Sequence, residues 1–319
     1  MRLVVVLLAA LAASAQPLMA RSETLKIAVP QRGAWGTSYP DLGVRHGIFK
    51  ALGLDLDIVY TEGGASNEQA VISGSVDIAT ETGFLGIIGA YVKGAPVRII
   101  STAATGAPEV YWYAKAGSPI KSLKDMHGHS AGFSNPGSSS NLILLQLLKE
   151  ASIGDAKLVP VGASQNGLTL VMTGQLDICY AVPPVGLKEL QDKSITMVAR
   201  GNDSAAVRNE TVRVNVANLN SLNTKRDAIV RFMKGYQQSL DWAYSGDAPI
   251  EDYAKMTDQP VELVRYMVKN FQSKEADEIG AVHGIDRVLD EAYAAKRTPK
   301  LMTPDEIKGV YDFVLQSQK

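Results

Sequence analysis

The sequence predicts an α/β fold with two lobes of similar build, and three observations support this prediction. Strand and helix patterns alternate from Leu25 to about Arg200, which is typical of mostly parallel sheets. Residues 70–79, AVISGSVDIA, recur in near-copy as LVMTGQLDIC at residues 170–179. Each copy reads as a helix end, a glycine C-cap, a polar turn and an apolar strand. Two copies predict two lobes, and clefts between lobes are common sites for small molecules.

Length and composition agree with two packed cores. The chain has 319 residues, of which 46% are hydrophobic and 20% charged, as in ordinary soluble globular proteins. Lys plus Arg number 32 and Asp plus Glu number 33. This balance gives no indication of nucleic acid or of an anionic membrane surface as a partner.

The first twenty residues read as a secretory signal peptide. Arg2 precedes an apolar run at residues 3–13 that is too short to span a bilayer comfortably. Small residues follow, with an A-x-A cleavage pattern ending at Ala15 and a second candidate ending at Ala20. An uncleaved membrane anchor is the alternative. No twin-arginine pair is present, which favours the general secretion route.

Cys179 is the only cysteine, so the chain forms no internal disulfide and has no lipid-acceptor cysteine after the signal. A core of this size does not need a disulfide. We therefore expect a soluble bacterial periplasmic protein that is not a lipoprotein. The histidines form no metal-ligand pattern and the phosphate-loop and dinucleotide signatures are absent, so we predict no metal and no cofactor.

The first lobe begins with a strand at residues 25–29, and Pro40 marks the first turn of the next helix. Residues 54–60 alternate apolar with acidic side chains, which predicts a half-buried strand. Ser66 with Gln69 reads as a capping box. The predicted elements continue with a strand at 77–80, a helix at 83–93 and a strand at 97–102.

The second lobe repeats this order. Its predicted elements are a short helix from 122, a strand at 130–133, a helix at 141–151, a strand at 157–161, a helix from 164, a strand at 177–180 and a helix from 184. Strands at 110–114 and 211–217 are the expected crossovers. Lobe two is therefore predicted to cover residues 110–210, and lobe one residues 22–109 plus 211–319. Helices at 228–244, 251–256 and 260–271 are expected to pack on lobe one.

Four loops follow strand ends, where open parallel sheets bind ligands. They cover residues 31–36, 81–83, 135–140 and 180–184. The third loop places a glycine and three serines at a helix N-terminus, which is an anion site without a formal charge. One serine that merely caps the helix is the alternative. The predicted ligand-binding residues are Gln31, Trp35, Thr82, Gly83, Asn135, Ser138, Ser139, Ser140 and Tyr180.

The aromatic members of this set have competing roles. Trp35 is expected either to wall the cleft and stack on a planar ligand group or to pack against the first helix. Tyr180 offers a ring and a hydroxyl at its strand end. Arg32, Arg200 and Arg213 are each able to pair an anion, although solvation is the default for a single arginine.

Residues 128–132, GHSAG, match the nucleophile elbow of serine hydrolases and make Ser130 a candidate nucleophile. The elbow needs an apolar strand just before the serine and a helix just after it. A polar stretch precedes Ser130 and residues 133–136 are not helical in pattern. We therefore expect no catalytic residue, and a hydrolase stays a minor alternative.

The segments TLKIAVPQRG, DLGVRHGIFKALGLDLDIVY, SGSVDIATETG and TGQLDICYAVPP, together with the signal, resemble bacterial ABC-importer substrate-binding proteins. The similar branch is the nitrate, taurine and aliphatic-sulfonate group, with its thiamine-pyrimidine relatives. The resemblance implies a type II periplasmic-binding-protein clamshell with two crossover segments and a helical C-terminal tail. It also implies hinge closure over a ligand, and delivery to a membrane permease. The cysteine-rich cluster of pyrimidine-synthesising enzymes is missing, which argues against an enzyme.

The expected function is therefore capture of a small anionic organic ligand, of sulfonate or carboxylate type, by a monomer. The serine-rich helix start favours an oxyanion, whereas Trp35 and Tyr180 favour an organic body. A periplasmic sensor or adaptor with the same fold is the alternative that the sequence does not separate from an importer component.

Overall fold

A computed structural model describes residues 22–277 and 279–315. Its strands form two five-stranded sheets. The strands are β1 Glu23–Val29, β2 Leu54–Tyr60, β3 Ile78–Gly83, β4 Val97–Thr105, β5 Tyr111–Lys115, β6 Ser130–Phe133, β7 Lys157–Pro160, β8 Ile178–Ala181, β9 Ile195–Arg200 and β10 Thr211–Asn218. The predicted signal peptide lies outside the described residues.

The two sheets have the same design. Their strand orders are β2-β1-β3-β10-β4 and β7-β6-β8-β5-β9. In each sheet three strands are parallel, and the fourth strand in the order pairs antiparallel with both of its neighbours. That antiparallel strand is β10 in the first sheet and β5 in the second, so the chain crosses between the sheets before β5 and again before β10. The predicted two-lobed α/β class is confirmed.

Helices cover both sheets and continue after β10. They are α1 Tyr39–Arg45, α2 Ile48–Ala51, α3 Gly64–Ile72, α4 Phe84–Val92, α5 Ser139–Glu150, α6 Ser164–Met172, α7 Leu187–Gln191, α8 Leu219–Thr224, α9 Arg226–Ala243, α10 Asp247–Thr257, α11 Val261–Phe271, α12 Ile285–Ala294 and α13 Pro304–Ile307. Helix α9 packs on α1, β1 and β2, and α12 packs on α4, so the C-terminal helices cover the first sheet. Within residues 22–277 and 279–315, no helix has both the length and the apolar content that crossing a bilayer requires.

The duplicated segment has one structural role in each sheet. Gly74 and Gly174 both adopt a positive φ, 72° and 76°, after a helix. Asp77 Oδ2 accepts a hydrogen bond from the backbone nitrogen of Lys26 at 2.9 Å. Asp177 Oδ2 accepts one from the backbone nitrogen of Ser130 at 2.8 Å. Each aspartate directly precedes one strand and binds the backbone of its parallel neighbour, at the middle of β1 and at the start of β6, so the repeat is a repeat of structure.

Three local predictions differ from the structure. The single helix predicted from Pro40 is divided into α1 and α2, because Gly47 takes a φ of 76° between them. Helix α3 begins at Gly64 and not at Ser66, so Ser66 lies inside the first turn and does not cap it. The capping box of Ser122 is present, although it begins a 3₁₀ turn and not an α-helix.

Candidate functional site

A cavity of about 70 Å³ lies between the sheets at the carboxyl ends of their parallel strands. Each of the four predicted loop segments supplies lining residues, for example Gln31 after β1, Gly83 at the end of β3, Ser138 after β6 and Val182 after β8. Residues 81–83, predicted as a loop, form the end of strand β3. The volume corresponds to about five water molecules. The cavity therefore fits a ligand of only a few heavy atoms in this conformation.

A larger groove, of about 760 Å³, lies between α5 and α12, away from the strand ends. Its lining is mainly aliphatic, with residues such as Leu142, Leu145 and Leu158. The smaller cavity is the better candidate site, because buried charged and polar groups from both lobes converge on it.

The serine loop, residues 135–140, forms the lobe-two side of the cavity. Ser138 is the N-cap of α5, and its Oγ accepts a hydrogen bond from the backbone nitrogen of Asn141 at 3.3 Å. The Oγ of Ser140 accepts from the backbone nitrogen of Ser134 at 2.9 Å. The backbone nitrogens of Ser139 and Ser140 have no acceptor among the described residues. Two free N–H groups at the positive end of a helix favour an anion.

Arg213, on β10, brings a cation to the same point. Its Nε donates to Ser139 Oγ at 3.2 Å, and its Nη1 donates to Glu81 Oε2 at 3.4 Å. Its Nη2 donates to Glu109 Oε1 at 2.5 Å. Only 12% of the side chain is exposed, and the nearby carboxylates raise its pKa further. Two carboxylates compensate the buried guanidinium, as a buried ion requires.

Glu81 is buried in an unusual backbone conformation. Its φ is 54°, a left-handed value that residues other than glycine adopt at a cost of about 1–3 kcal/mol. Tyr236 donates its hydroxyl to Glu81 Oε1 at 3.3 Å. Burial raises the pKa of Glu81 to about 7 although Arg213 lowers it. Strain of this kind is typical of functional sites.

Asp277 lines the lobe-one side. Tyr39 and Tyr244 both donate hydroxyl hydrogen bonds to its Oδ2, the second at 2.7 Å. Burial raises the pKa of Asp277 to about 6. Its Oδ1 accepts no hydrogen bond from the described part of the chain, and a side chain at Gly36 would begin 4.0 Å from it.

The lobes are in contact across the cavity. Gln31 Nε2 donates to Ser164 Oγ at 3.2 Å, and Asn135 Nδ2 donates to the Glu62 carbonyl at 3.1 Å. A methyl group at Gly83 would lie 3.2 Å from the Gly137 carbonyl oxygen. The absence of a side chain at Gly83 therefore permits the close approach of the serine loop to β3.

Six of the nine predicted residues line the cavity, namely Gln31, Gly83, Ser138, Ser139, Ser140 and Tyr180. The Tyr180 hydroxyl donates a hydrogen bond to the Gly162 carbonyl at 2.6 Å, so Tyr180 presents mainly its ring to the cavity. Their contact with a ligand stays a prediction.

The structure does not bring the other three into the lining. Trp35 is fully buried, and its ring packs 4.9 Å from that of Tyr253 and 5.9 Å from that of Tyr244. Thr82 Oγ1 accepts a hydrogen bond from Asn67 Nδ2 at 3.2 Å. Asn135 forms the contact between the lobes. The side chains of Trp35, Thr82 and Asn135 therefore pack against or bind residues around the cavity and do not line it.

The charged side chains that line the cavity were not among the predicted set: Glu81, Glu109, Arg213 and Asp277. Glu81 carries a visible signal, because it is a charged residue in a short strand between buried threonines. The sequence offers Arg213 as one of three arginines able to pair an anion, with solvation as the default, and the structure buries most of its side chain. Glu109 and Asp277 lie in segments without a distinguishing sequence pattern, so the sequence does not identify them as site residues.

Ser130 begins β6, at the opposite end of the strand from the cavity. Its Oγ donates to Asp177 Oδ2 at 2.6 Å. His129 Nδ1 lies 3.2 Å from the other oxygen of that carboxylate. Ser130 and His129 both contact Asp177, whereas in a serine hydrolase the hydroxyl of the nucleophilic serine is hydrogen-bonded to the histidine ring.

A family model described as NMT1/THI5 like matches residues 42–248, which is about two thirds of the chain. No curated protein has a sequence significantly similar to this chain.

Solved structures share the fold. The alkanesulfonate-binding protein SsuA from Xanthomonas axonopodis pv. citri, bound to MOPS, matches with a TM-score of 0.73 and 16% identity over 88% of this chain and 95% of that chain. The periplasmic aliphatic sulphonate binding protein SsuA from Escherichia coli matches with a TM-score of 0.68 and 19% identity over 89% and 96%. The periplasmic nitrate-binding protein NrtA from Synechocystis PCC 6803 matches with a TM-score of 0.72 and 11% identity over 92% and 87%. At these identities the likeness establishes the fold.

Proposed function

The chain belongs to the NMT1/THI5-like family. We propose that it is a periplasmic solute-binding protein. It captures a small organic ligand with a sulfonate-type or carboxylate-type head group in the cavity between the lobes. It then delivers the ligand to the membrane permease of an ABC importer. The similarity of its fold to sulfonate-binding and nitrate-binding proteins supports this class of ligand.

One observation carries the proposal: the free N–H groups of Ser139 and Ser140 meet Arg213 in a cavity enclosed by both lobes. An oxyanion there accepts hydrogen bonds from the helix N-terminus and lies beside a guanidinium. Both interactions are stronger inside a protein than in water.

Ligand capture follows from the division of these groups between lobes. Arg213 and Gln31 belong to the first sheet's side, whereas Ser139 and Ser140 belong to the second. A ligand that bonds to both sides favours the closed arrangement by its differential affinity for it. Rotation about the two crossing segments is the corresponding hinge motion.

The bounds of the lobes, the location of the protein and its oligomeric state are part of the same proposal. Lobe one comprises residues 22–109 and 211–319, and lobe two comprises residues 110–210. The mature protein acts in the periplasm as a monomer without enzymatic activity. The signal-like sequence of residues 1–20 supports export.

Calorimetric titration of the mature chain with alkanesulfonates, nitrate and carboxylates tests the proposal. We expect saturable 1:1 binding by one of these classes. Absence of binding across all three would overturn the oxyanion proposal.

A further inference from the structure

We propose that Arg297 is a positioning residue for the oxyanion, which acts by holding the serine loop in the closed arrangement. Its guanidinium group lies on Gly137, and we call this pair the closing contact. The inference rests on the proposed function, because it concerns the same anion-binding N–H groups of Ser139 and Ser140. Arg297 is not a lining residue of the cavity, so it acts on the ligand through the loop.

The approach of Arg297 to the serine loop is the first argument. A methyl group at Gly137 would lie 2.4 Å from Nη2 of Arg297 and 2.7 Å from its Cζ. The guanidinium group therefore occupies the space that a side chain at Gly137 would need. The backbone nitrogen of Gly137 donates to Asn141 Oδ1 at 3.0 Å, which ties it to the first turn of α5. A fixed Gly137 therefore also fixes the N-terminus of that helix.

The backbone of Arg297 is held on the side of the first sheet. Its nitrogen donates to the Ala292 carbonyl at 2.7 Å, at the end of α12. A methyl group at Gly89, on α4, would lie 3.0 Å from Cβ of Arg297 and 3.2 Å from its carbonyl oxygen. Helix α4 in turn packs on β3 and β10. The closing contact therefore joins a segment fixed to the first sheet with a loop of the second.

Two glycines of α4 make room for these approaches. Gly86 and Gly89 are both buried and lie three residues apart, on one face of the helix. A methyl group at Gly86 would lie 2.5 Å from Glu68 Oε2 and 3.3 Å from the Gly137 carbonyl oxygen. Glycine inside a helix is unfavourable relative to alanine. The groups that these glycines admit, the Arg297 segment and the serine loop, account for their presence.

The charge of Arg297 is the second argument. Its side chain is half-buried and forms no ion pair or hydrogen bond with residues 22–277 or 279–315. Burial raises the pKa of Glu68, on α3, while Arg297 and Lys93 lower it. The guanidinium lies beside the positive end of α5, and these two like charges repel each other. An oxyanion at the helix N-terminus offsets both, so the ligand and the closing contact stabilise each other.

Stopped-flow tryptophan fluorescence of the mature chain tests the inference with methanesulfonate, or with acetate if methanesulfonate does not bind. Arg297→Met removes the guanidinium group and keeps the apolar length of the side chain. We expect the dissociation rate constant to rise about tenfold and the association rate constant to change less than about twofold, because the contact forms after encounter. Arg297→Lys keeps the charge and should stay within about threefold of the wild-type dissociation rate constant.

Lys296→Met is the matched control. It removes the same charge from the neighbouring residue, whose side chain is exposed. Both rate constants should therefore stay at their wild-type values.

Gly89→Ala provides a second, independent variant. Its methyl group displaces the backbone that carries Arg297, at a helix position that favours alanine. We expect a similar rise in the dissociation rate constant, and no further rise when Gly89→Ala is combined with Arg297→Met, because both remove one contact. Thermal unfolding without ligand checks that each variant folds. If Arg297→Met does not fold, Gly89→Ala still tests the inference.

Wild-type dissociation rate constants in the folded variants would overturn the inference while the oxyanion proposal stands. A slower association alone would also overturn it, because that result assigns Arg297 to attraction of the anion before binding. If the wild type binds neither probe nor any other oxyanion of the calorimetric panel, the proposed function fails, and the inference fails with it.

Discussion

Arg213 on β10 and Ser139 at the first position of α5 are joined by a hydrogen bond of 3.2 Å from Nε to Oγ. The bond runs between the two sheets, because β10 belongs to the first and α5 covers the second. It fixes the guanidinium beside the free N–H groups of the helix. The same hydrogen bond therefore links the two lobes and forms part of the candidate anion site.

Replacing Arg213 with methionine should lower the free energy of unfolding by about 3–5 kcal/mol, because Glu81 and Glu109 would then be buried without a cation. Urea unfolding at pH 7.5 measures the change. Arg265→Met is the control, since its ion pair with Asp247 is exposed and should contribute less than about 1 kcal/mol. Similar small losses in both variants would contradict the role given to Arg213.

Ser139→Pro removes one backbone donor at a helix position that tolerates proline. Ser138, which precedes it, already has an extended ψ of 162°, as a residue before proline requires. We expect about tenfold weaker binding of the oxyanion, about 1.4 kcal/mol, than in Ser139→Ala, with little difference in stability between the two variants. Ser139→Ala, which keeps the N–H group, is the matched control. Equal affinity of the two variants would show that this N–H group does not bind the ligand.

Gly83→Ala should hinder closure, because its methyl group would lie 3.2–3.3 Å from the backbone of Gly137 and Ser139. Overpacking of this kind costs about 1–3 kcal/mol, so ligand affinity should fall by roughly five- to a hundredfold. Gly154→Ala is the control, since a methyl group there meets nothing within 4 Å. Small-angle scattering should show a larger radius of gyration for Gly83→Ala with ligand. Unchanged affinity would mean that closure does not bring these backbones together.

Stability without ligand should fall as the pH rises from about 5 to 8. Glu210, just before β10, and Glu291, on α12, face each other near Arg287. Burial raises their pKa values to about 8 and about 7. In this window the folded chain holds protons that the unfolded chain has released, so deprotonation favours unfolding. Asp277 and Glu81 act in the same direction.

Glu210→Gln should therefore reduce the loss of stability between pH 5 and 8 by up to about 1.4 kcal/mol per pH unit. It should also be more stable than the wild type at pH 8. Unfolding free energies across the pH range, with the exposed Glu251→Gln as control, provide the measurement. The same slope in wild type and Glu210→Gln would contradict the assignment.

The fold was predictable because its determinants are local and repeated. Gly74 and Gly174 follow helices, and Asp77 and Asp177 directly precede strands, so two copies of one pattern predict two sheets of one design. The positions of strand-end loops follow from the same alternation of strands and helices.

The site was predictable only where such local patterns define it. The serine loop was identified because a helix N-terminus can be read from neighbouring residues. Asp277 lies more than a hundred residues from the serine loop, and its place beside Tyr39 depends on how the C-terminal helices pack. The sequence leaves Trp35 open between a cleft wall and packing against the first helix, because its neighbours in sequence are small and polar, whereas its contacts, Tyr244 and Tyr253, come from distant segments.

We claim that an oxyanion binds to the backbone N–H groups of Ser139 and Ser140. Nuclear magnetic resonance of the ¹⁵N-serine-labelled protein, titrated with the tightest-binding sulfonate or carboxylate, tests this claim most directly. We predict that the amide protons of Ser139 and Ser140 move downfield on saturation, with assignments from Ser139→Ala and Ser140→Ala. Saturable binding that leaves both amide signals in place would contradict the claim.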